Sequence, residues 1–263
     1  AGSSVAAMQS WPRLRSGGRR YERVNAPADM IIILIAAIFV IIPMAALVVA
    51  GITARINIPA ILSAAWTSIT IAAAAMIVSL ALAWPLANAM ARAQGRLTKA
   101  LLGLAALLAL ILPPAVLATG WFIVAIRLGL PIAGAALLVV AMNSLMALPF
   151  TLGTLAPAVT QAAAQHDRLC ASLGIAGFAR LRLIDFPALR RPLGLAAAMA
   201  FIVSLGDLTA IMLFGSQDLM TLPALIQAQM GSYRVDEAGA TALALTLMSL
   251  AIIALIERWS ATE

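Results

Sequence analysis

The chain has 263 residues, 63% hydrophobic and 10% charged, with a formal charge of +7 and a mean hydropathy of +1.04. Soluble domains are roughly 45–50% apolar and about 25% charged, so a water-soluble domain is excluded, as are collagen, coiled-coil, disulfide-scaffold and disordered classes. The single cysteine, Cys170, forms no internal disulfide, and 5% aromatics are too few for the girdles of an outer-membrane barrel. What remains is an all-α polytopic membrane protein with room for about six or seven spans of ~20 residues.

Residues 1–29 lack an apolar core ahead of a small-residue cleavage site and so do not read as a signal peptide. They read as a polar cytoplasmic segment bearing Gly, Ser and Arg. The first residue is not Met, which fits a processed chain or the later part of a longer polypeptide. A first span is expected from about Met30 to Ala50, with Pro43 inside it, and a second from about Ala65 to Met90 after an interfacial lead-in around Pro59. The third lies between Lys99 and Arg127, kinked at Pro113-Pro114. Pro149 and Pro157 are expected helix boundaries, because proline disfavours helix in the residue before it. The fourth span is therefore placed from about Pro131 to Leu148. The fifth follows Pro192 and ends near Phe214, and the sixth covers about Ala238 to Ile256, leaving residues 258–263 as a tail.

The basic residues divide unevenly between the two sides. One set of loops holds Arg13, Arg15, Arg19, Arg20, Arg23, Arg92, Arg96, Lys99, Arg168, Arg180, Arg182, Arg190, Arg191 and Arg258, fourteen of the seventeen. The other set holds Arg55, Arg127 and Arg234. The positive-inside rule places the first set in the cytoplasm, with both termini. Six spans preserve that alternation and an odd number scrambles it. The charge is thereby explained by the bilayer, without a nucleic-acid partner.

The longest cytoplasmic connection, residues 156–192, is patterned. Val159, Ala162, Ala163, His166, Leu169, Cys170 and Leu173 recur at intervals of three and four, which predicts a short amphipathic helix. Gly174 follows, where a left-handed helix cap favours glycine. A second helical stretch, Phe178 to Ile184, is expected to stop before Pro187. Helix, glycine turn and helix make a projecting knob suited to a soluble partner, or an ordinary solvated loop.

Within the spans, Asp207 is the acid deepest in the apolar sequence. A mid-membrane carboxylate is costly unless it faces a cavity or a partner, so it either lines a path with Thr209 and Asn143 or accepts hydrogen bonds from neighbouring helices. Asn143 and Asn88 read more readily as glue between helices than as ligands. Ser216, Gln217, Asp218, Tyr233 and Arg234 fall in an external loop from Phe214 to Glu237, available to an external partner or simply solvated. His166 has no companion ligands, so no metal site is expected. The chain has no Gly-x4-Gly-Lys-Ser/Thr phosphate loop, so it is expected to bind no nucleotide, to have no catalytic set and to need a partner for ATP chemistry.

The loop carries a resemblance. Arg168-Leu169-Cys170, Gly174 and Ile184-Asp185-Phe186-Pro187 match in spacing the Glu-Ala-Ala-x3-Gly-x9-Ile-x-Leu-Pro pattern of permease subunits in binding-protein-dependent ABC importers. Glycine, isoleucine and proline agree; the Glu-Ala-Ala is absent, with Asp167 the nearest acid one place early. The runs 143–149, 169–175, 205–209, 213–218, 221–223, 231–234 and 240–243 resemble the second half of thiamine importer permeases, which carry two six-span halves in one chain. The likeness covers about Met30 to Glu257. It implies a type I importer permease fold in the bacterial inner membrane, a six-span domain over 30–257, and an inter-half linker over 1–29. The partners it implies are ATP-binding subunits that use ATP and Mg, a periplasmic substrate-binding protein and a second permease half. Asp167, Arg168, Leu169, Gly174, Ile184 and Pro187 would then belong to the ATPase-coupling loop. Ferric iron, a polyamine or an oxyanion is the cargo of related permeases, and an ion-coupled carrier using Asp207 is a reading from another class.

Overall fold

Sequence this apolar leaves the backbone no water to bond to inside a bilayer, so helices are the expected solution, and helices are what form. The computed structural model describes residues 26–54, 56–93, 95–129, 135–214 and 219–261. Among them lie α1 (Ala26–Thr53), α2 (Ile58–Arg92), α3 (Arg96–Ile111), α4 (Pro114–Arg127), α5 (Ala135–Leu173), α6 (Gly177–Arg180), a π-turn (Leu181–Asp185), α7 (Phe186–Leu205), α8 (Thr209–Phe214), α9 (Leu222–Gly231) and α10 (Val235–Ala261). Residues 1–45 and 46–263 form two separate units. The described part of the first is α1 up to Ala45, an exposed apolar helix.

Among the described residues, five helices are long and apolar enough to cross a membrane: Met30–Thr53, Ile58–Arg92, Ala136–Leu173, Gly177–Leu205 and Val235–Ile256. The expected third span is instead two helices, of 16 and 14 residues, each shorter than the ~20 residues a crossing needs. Pro113-Pro114 does more than kink it. Leu112 and Pro113 are both extended, with ψ of 128° and 134°, and Pro114 restarts the chain as the first residue of α4, where its missing N–H costs nothing. Pro59 likewise sits in the first turn of α2, behind an Asn57 side chain that accepts from the Ala60 amide, so the lead-in is the start of the helix.

Pro149 and Pro157 are not boundaries. Both lie inside α5, which runs unbroken for 39 residues and so carries the expected fourth span and loop helix as one rod. The reason is burial. Leu148, Leu152, Leu155 and Val159 of α5 pack with Ala83 and Ala87 of α2 and Leu189 and Ala196 of α7. Continuing the helix through two prolines preserves that seam. The threonines nearby bond back onto the helix, Thr151 to the Leu148 carbonyl at 2.9 Å and Thr160 to that of Ala156 at 2.7 Å.

Apart from Ile71, the buried residues of α2 are small: Ala64, Ser68, Ala72, Ala75, Ser79, Ala83 and Ala87. Small residues let helix backbones approach closely, and in lipid that contact supplies the association energy. Ser79 and Thr151 share a buried hydrogen bond of 3.1 Å across it. A second cluster joins Ile71, Ala118, Val139, Met142, Ala210, Ile211 and Phe214. A third sets Phe201 and Leu205 of α7 with Ala72 against Leu245, Met248 and Ile252 of α10. The end of α1 meets α10 even more closely: a Cβ added at Gly239 would stand 2.6 Å from Ala50 Cβ.

Candidate functional site

Residues 156–192, expected as a cytoplasmic connection, form a helix end, a glycine turn and a second limb, on different helical bounds from those expected. Leu173 ends α5, and Gly174 turns left-handed at φ +66°. The Ile175 amide donates to the Cys170 carbonyl at 3.0 Å and the Gly174 amide to that of Ala171 at 3.4 Å. This pair of bonds is the Schellman cap, which needs a residue tolerant of positive φ at that point. Gly177 is left-handed too, at φ +60°.

The second limb does not stop before Pro187. It runs through the π-turn into α7, with Pro187 in the first turn of α7. The Phe186 amide reaches back five residues to the Leu181 carbonyl. A wide turn of this kind is rare and occurs mostly as a single turn inserted in an α-helix, and here it joins the loop's second limb and α7 into one continuous element. Ile184 is half-buried within the π-turn.

A charge cluster absent from the spacing argument ties the limbs. Arg180 Nη2 donates to Asp167 Oδ1 at 2.5 Å, and its Nε donates to Asp185 Oδ2 at 3.3 Å. The Arg180 and Asp185 side chains are 16% and 14% exposed, that of Asp167 41%. Asp167 thus points into the molecule's own second limb, whereas Arg168 and Leu169 are exposed. The sequence shows two acids, Asp167 and Asp185, and three arginines, Arg168, Arg180 and Arg182, over residues 167–185, but which of them pair depends on the turn that folds them together.

Asp207 lies in a break rather than inside a span. The α7 helix ends at Leu205, one residue short of Gly206, and α8 begins at Thr209, which corrects the single helix expected as far as Phe214. The Asp207 carboxylate accepts from the Thr209 amide at 3.1 Å and the Ala210 amide at 3.3 Å. It is an N-cap for α8. This gives a prediction: Asp207→Asn, an equally good cap, should leave both thermal stability and transport near the parent level. Asp207→Ala should cost about 1 kcal/mol, read as a lower unfolding midpoint in detergent. Loss of transport in the Asn variant at unchanged stability would show that the charge itself is used.

Asn143 is buried between α5 and α7, where its Nδ2 donates to Ser204 Oγ at 2.9 Å and to the Ser204 carbonyl at 3.2 Å. Its Oδ1 is buried with no hydrogen-bond partner among the described residues. Asn143 therefore clasps the last turn of α7 immediately before the break that Asp207 caps. Asn88 donates to the Trp84 carbonyl of its own helix. Nearby, Val78, Leu82, Trp121, Leu138, Met142 and Leu145 line an apolar cavity of about 250 Å³.

The segment expected as an external loop contains structure that went unforeseen. Its α9 buries Leu222, Pro223 and Gln229. The Leu222 amide donates to Ser68 Oγ of α2 at 2.8 Å, and Thr241 Oγ1 of α10 donates to Gln229 Oε1 at 2.8 Å. Tyr233 is left-handed at φ 60° and 91% exposed. Arg234 pairs with Glu237 one turn along, with an Nε–Oε1 distance of 2.8 Å. Ser216, Gln217 and Asp218 lie outside the described residues.

No family model matches the chain. Curated relatives do. It is 38% identical over 258 residues to the thiamine transport system permease protein ThiP of Brucella abortus, an alignment covering 96% of this chain and 47% of that protein. It is 35% identical over 239 residues to the ThiP of Escherichia coli strain K12, covering 88% and 44%. A shorter stretch of 123 residues is 41% identical to the ThiP of Haemophilus influenzae. The chain spans about half the length of the curated relatives it matches.

Proposed function

The chain belongs to the permease family of those relatives, aligned with about half of each, and from that premise we propose that it forms one half of a thiamine permease. In this reading it has six spans with both termini cytoplasmic, the broken pair α3 and α4 together counting as the third. A second permease half, fused or separate, completes the path through the inner membrane. A periplasmic binding protein delivers thiamine, and ATP-binding subunits supply the energy. The observation that carries the reading is the alignment over 96% of the chain with a thiamine transport permease.

The geometry supports it at one place above all. The knob is a rigid body of the kind an ATP-driven partner needs to grip: a capped helix end, a short glycine turn and a limb continuous with a spanning helix. Movement of the partner would reach α7 directly through that limb and α5 through the other. Such two-state tilting of packed helices is how small motions at an effector are transmitted. An ion-coupled mechanism has less to stand on, since both oxygens of Asp207 are engaged by α8 amides. The cargo rests on kinship alone, because related folds carry different cargoes.

Uptake of labelled thiamine by cells expressing the complete transporter, with and without its ATP-binding subunit, tests the proposal. The expected result is uptake that disappears with that subunit. Thiamine uptake that persists without it would refute the ATP-driven mechanism. Uptake of ferric iron, a polyamine or an oxyanion in place of thiamine would refute the cargo.

A further inference from the structure

Two limbs joined through residues 174–176, with left-handed glycines at 174 and at 177, the first residue of α6, do not hold an angle by backbone alone, because glycine is the residue least restrained in φ and ψ. Nothing stands within 4 Å of the Cβ position at either glycine, so side-chain packing does not brace the turn at those points. Farther along, Val159 and Ala162 of α5 pack with Leu189 of α7; next to the turn itself, a polar link between the limbs is made by Arg180. Its Nη2 holds Asp167 on α5, thirteen residues back, while its Nε holds Asp185 in the π-turn, five residues ahead. The Arg180 side chain is partly buried, at 16% exposure.

From this arrangement we infer that Arg180 is a positioning residue for energy coupling, a brace that fixes the angle between α5 and the limb leading into α7. The inference rests on reading the loop as the ATPase-docking element. With the brace in place, a push on the knob displaces both limbs together. Without it, the glycine turn flexes and absorbs the displacement, so ATP is hydrolysed with less movement of the spans. Arginine suits this task and lysine does not, because a planar guanidinium offers separate nitrogens to two carboxylates held at fixed positions, and an ammonium is a single point charge. The π-turn places Asp185 at the far end of the brace, where the limb passes into α7.

The test measures ATP hydrolysed per thiamine moved by the complete transporter in proteoliposomes, with the binding protein present. Four variants are compared: Arg180→Gln, Arg180→Lys, Asp167→Ala and Phe178→Asp. Phe178 is 74% exposed on the knob, outside the brace, and serves as the control for docking. The expected result is that Arg180→Gln still assembles with the ATP-binding subunit but consumes roughly tenfold more ATP per thiamine, the scale of losing a partly buried charge pair. Arg180→Lys should fall between it and the parent. Asp167→Ala removes only the half-exposed partner and keeps the Arg180–Asp185 pair, so it reports even where Arg180→Gln fails to insert; it should raise the ratio several-fold. An unchanged ratio in Asp167→Ala, with Phe178→Asp abolishing assembly, would overturn the brace and leave the docking reading intact. An unchanged ratio and normal assembly in both would overturn the docking reading and the brace together.

Discussion

A proline at position 174 should reduce thiamine uptake to background while the transporter remains in the membrane at its normal level. Three effects converge there. Gly174 has φ +66°, and the pyrrolidine ring holds φ near −65°. The Gly174 amide donates to the Ala171 carbonyl, and proline has no amide to give. Proline also disfavours helix at Leu173, the last residue of α5. The limbs would have to leave the turn in new directions. Gly174→Ala separates conformation from these losses: the space beyond the glycine is open, so the change costs the left-handed penalty of about 1 kcal/mol and should leave uptake reduced but measurable. Uptake by the proline variant at the parent rate would remove the turn from the transport mechanism.

Replacing Gly239 by valine should unfold the junction of α1 and α10. A single added Cβ already meets Ala50 Cβ at 2.6 Å, well inside van der Waals contact, and an alanine methyl has no rotamer by which to move aside. The helices must separate instead. Overpacking of this kind costs about 1–3 kcal/mol for one methyl-sized group, and the valine branches add to it. A fall of several degrees in the unfolding midpoint of the detergent-purified protein is expected. Gly239→Ala combined with Ala50→Gly moves the methyl from one side of the contact to the other, so the pair should recover most of what Gly239→Ala loses. Equal stability of single and double variants would show that the contact is not the cause.

The helical class, the positions of the long apolar segments and the glycine-turned loop were legible in the sequence, because each follows from local facts: run length, three-four periodicity and a glycine just past a helix end. What escaped reading depends on partners distant in the chain. Pro149 and Pro157 signal stops by local sterics, yet α5 continues through both because its buried face is shared with α2 and α7. Asp207 reads as a carboxylate inside a span until α7 ends beside it and its oxygens find two amides of α8. Arg180 and Asp167 stand thirteen residues apart and meet only because Gly174 reverses the chain. Between α8 and α10, α9 gave little amphipathic signal of its own; Ser68, far back in the sequence, and Thr241, on the next helix, hold it in place.

The unbroken length of α5 sets a mechanical scale. Thirty-nine residues at 1.5 Å each make a rod of about 58 Å, close to twice the ~30 Å hydrocarbon thickness of a bilayer. For such a rod pivoting near one end, each degree of tilt carries the other end through about 1 Å. A stroke of a few ångströms delivered at the knob therefore corresponds to a rotation of only a few degrees, small enough for the alanine-lined seam with α2 to roll without opening. Gearing of this sort trades long travel outside the membrane for fine adjustment within it.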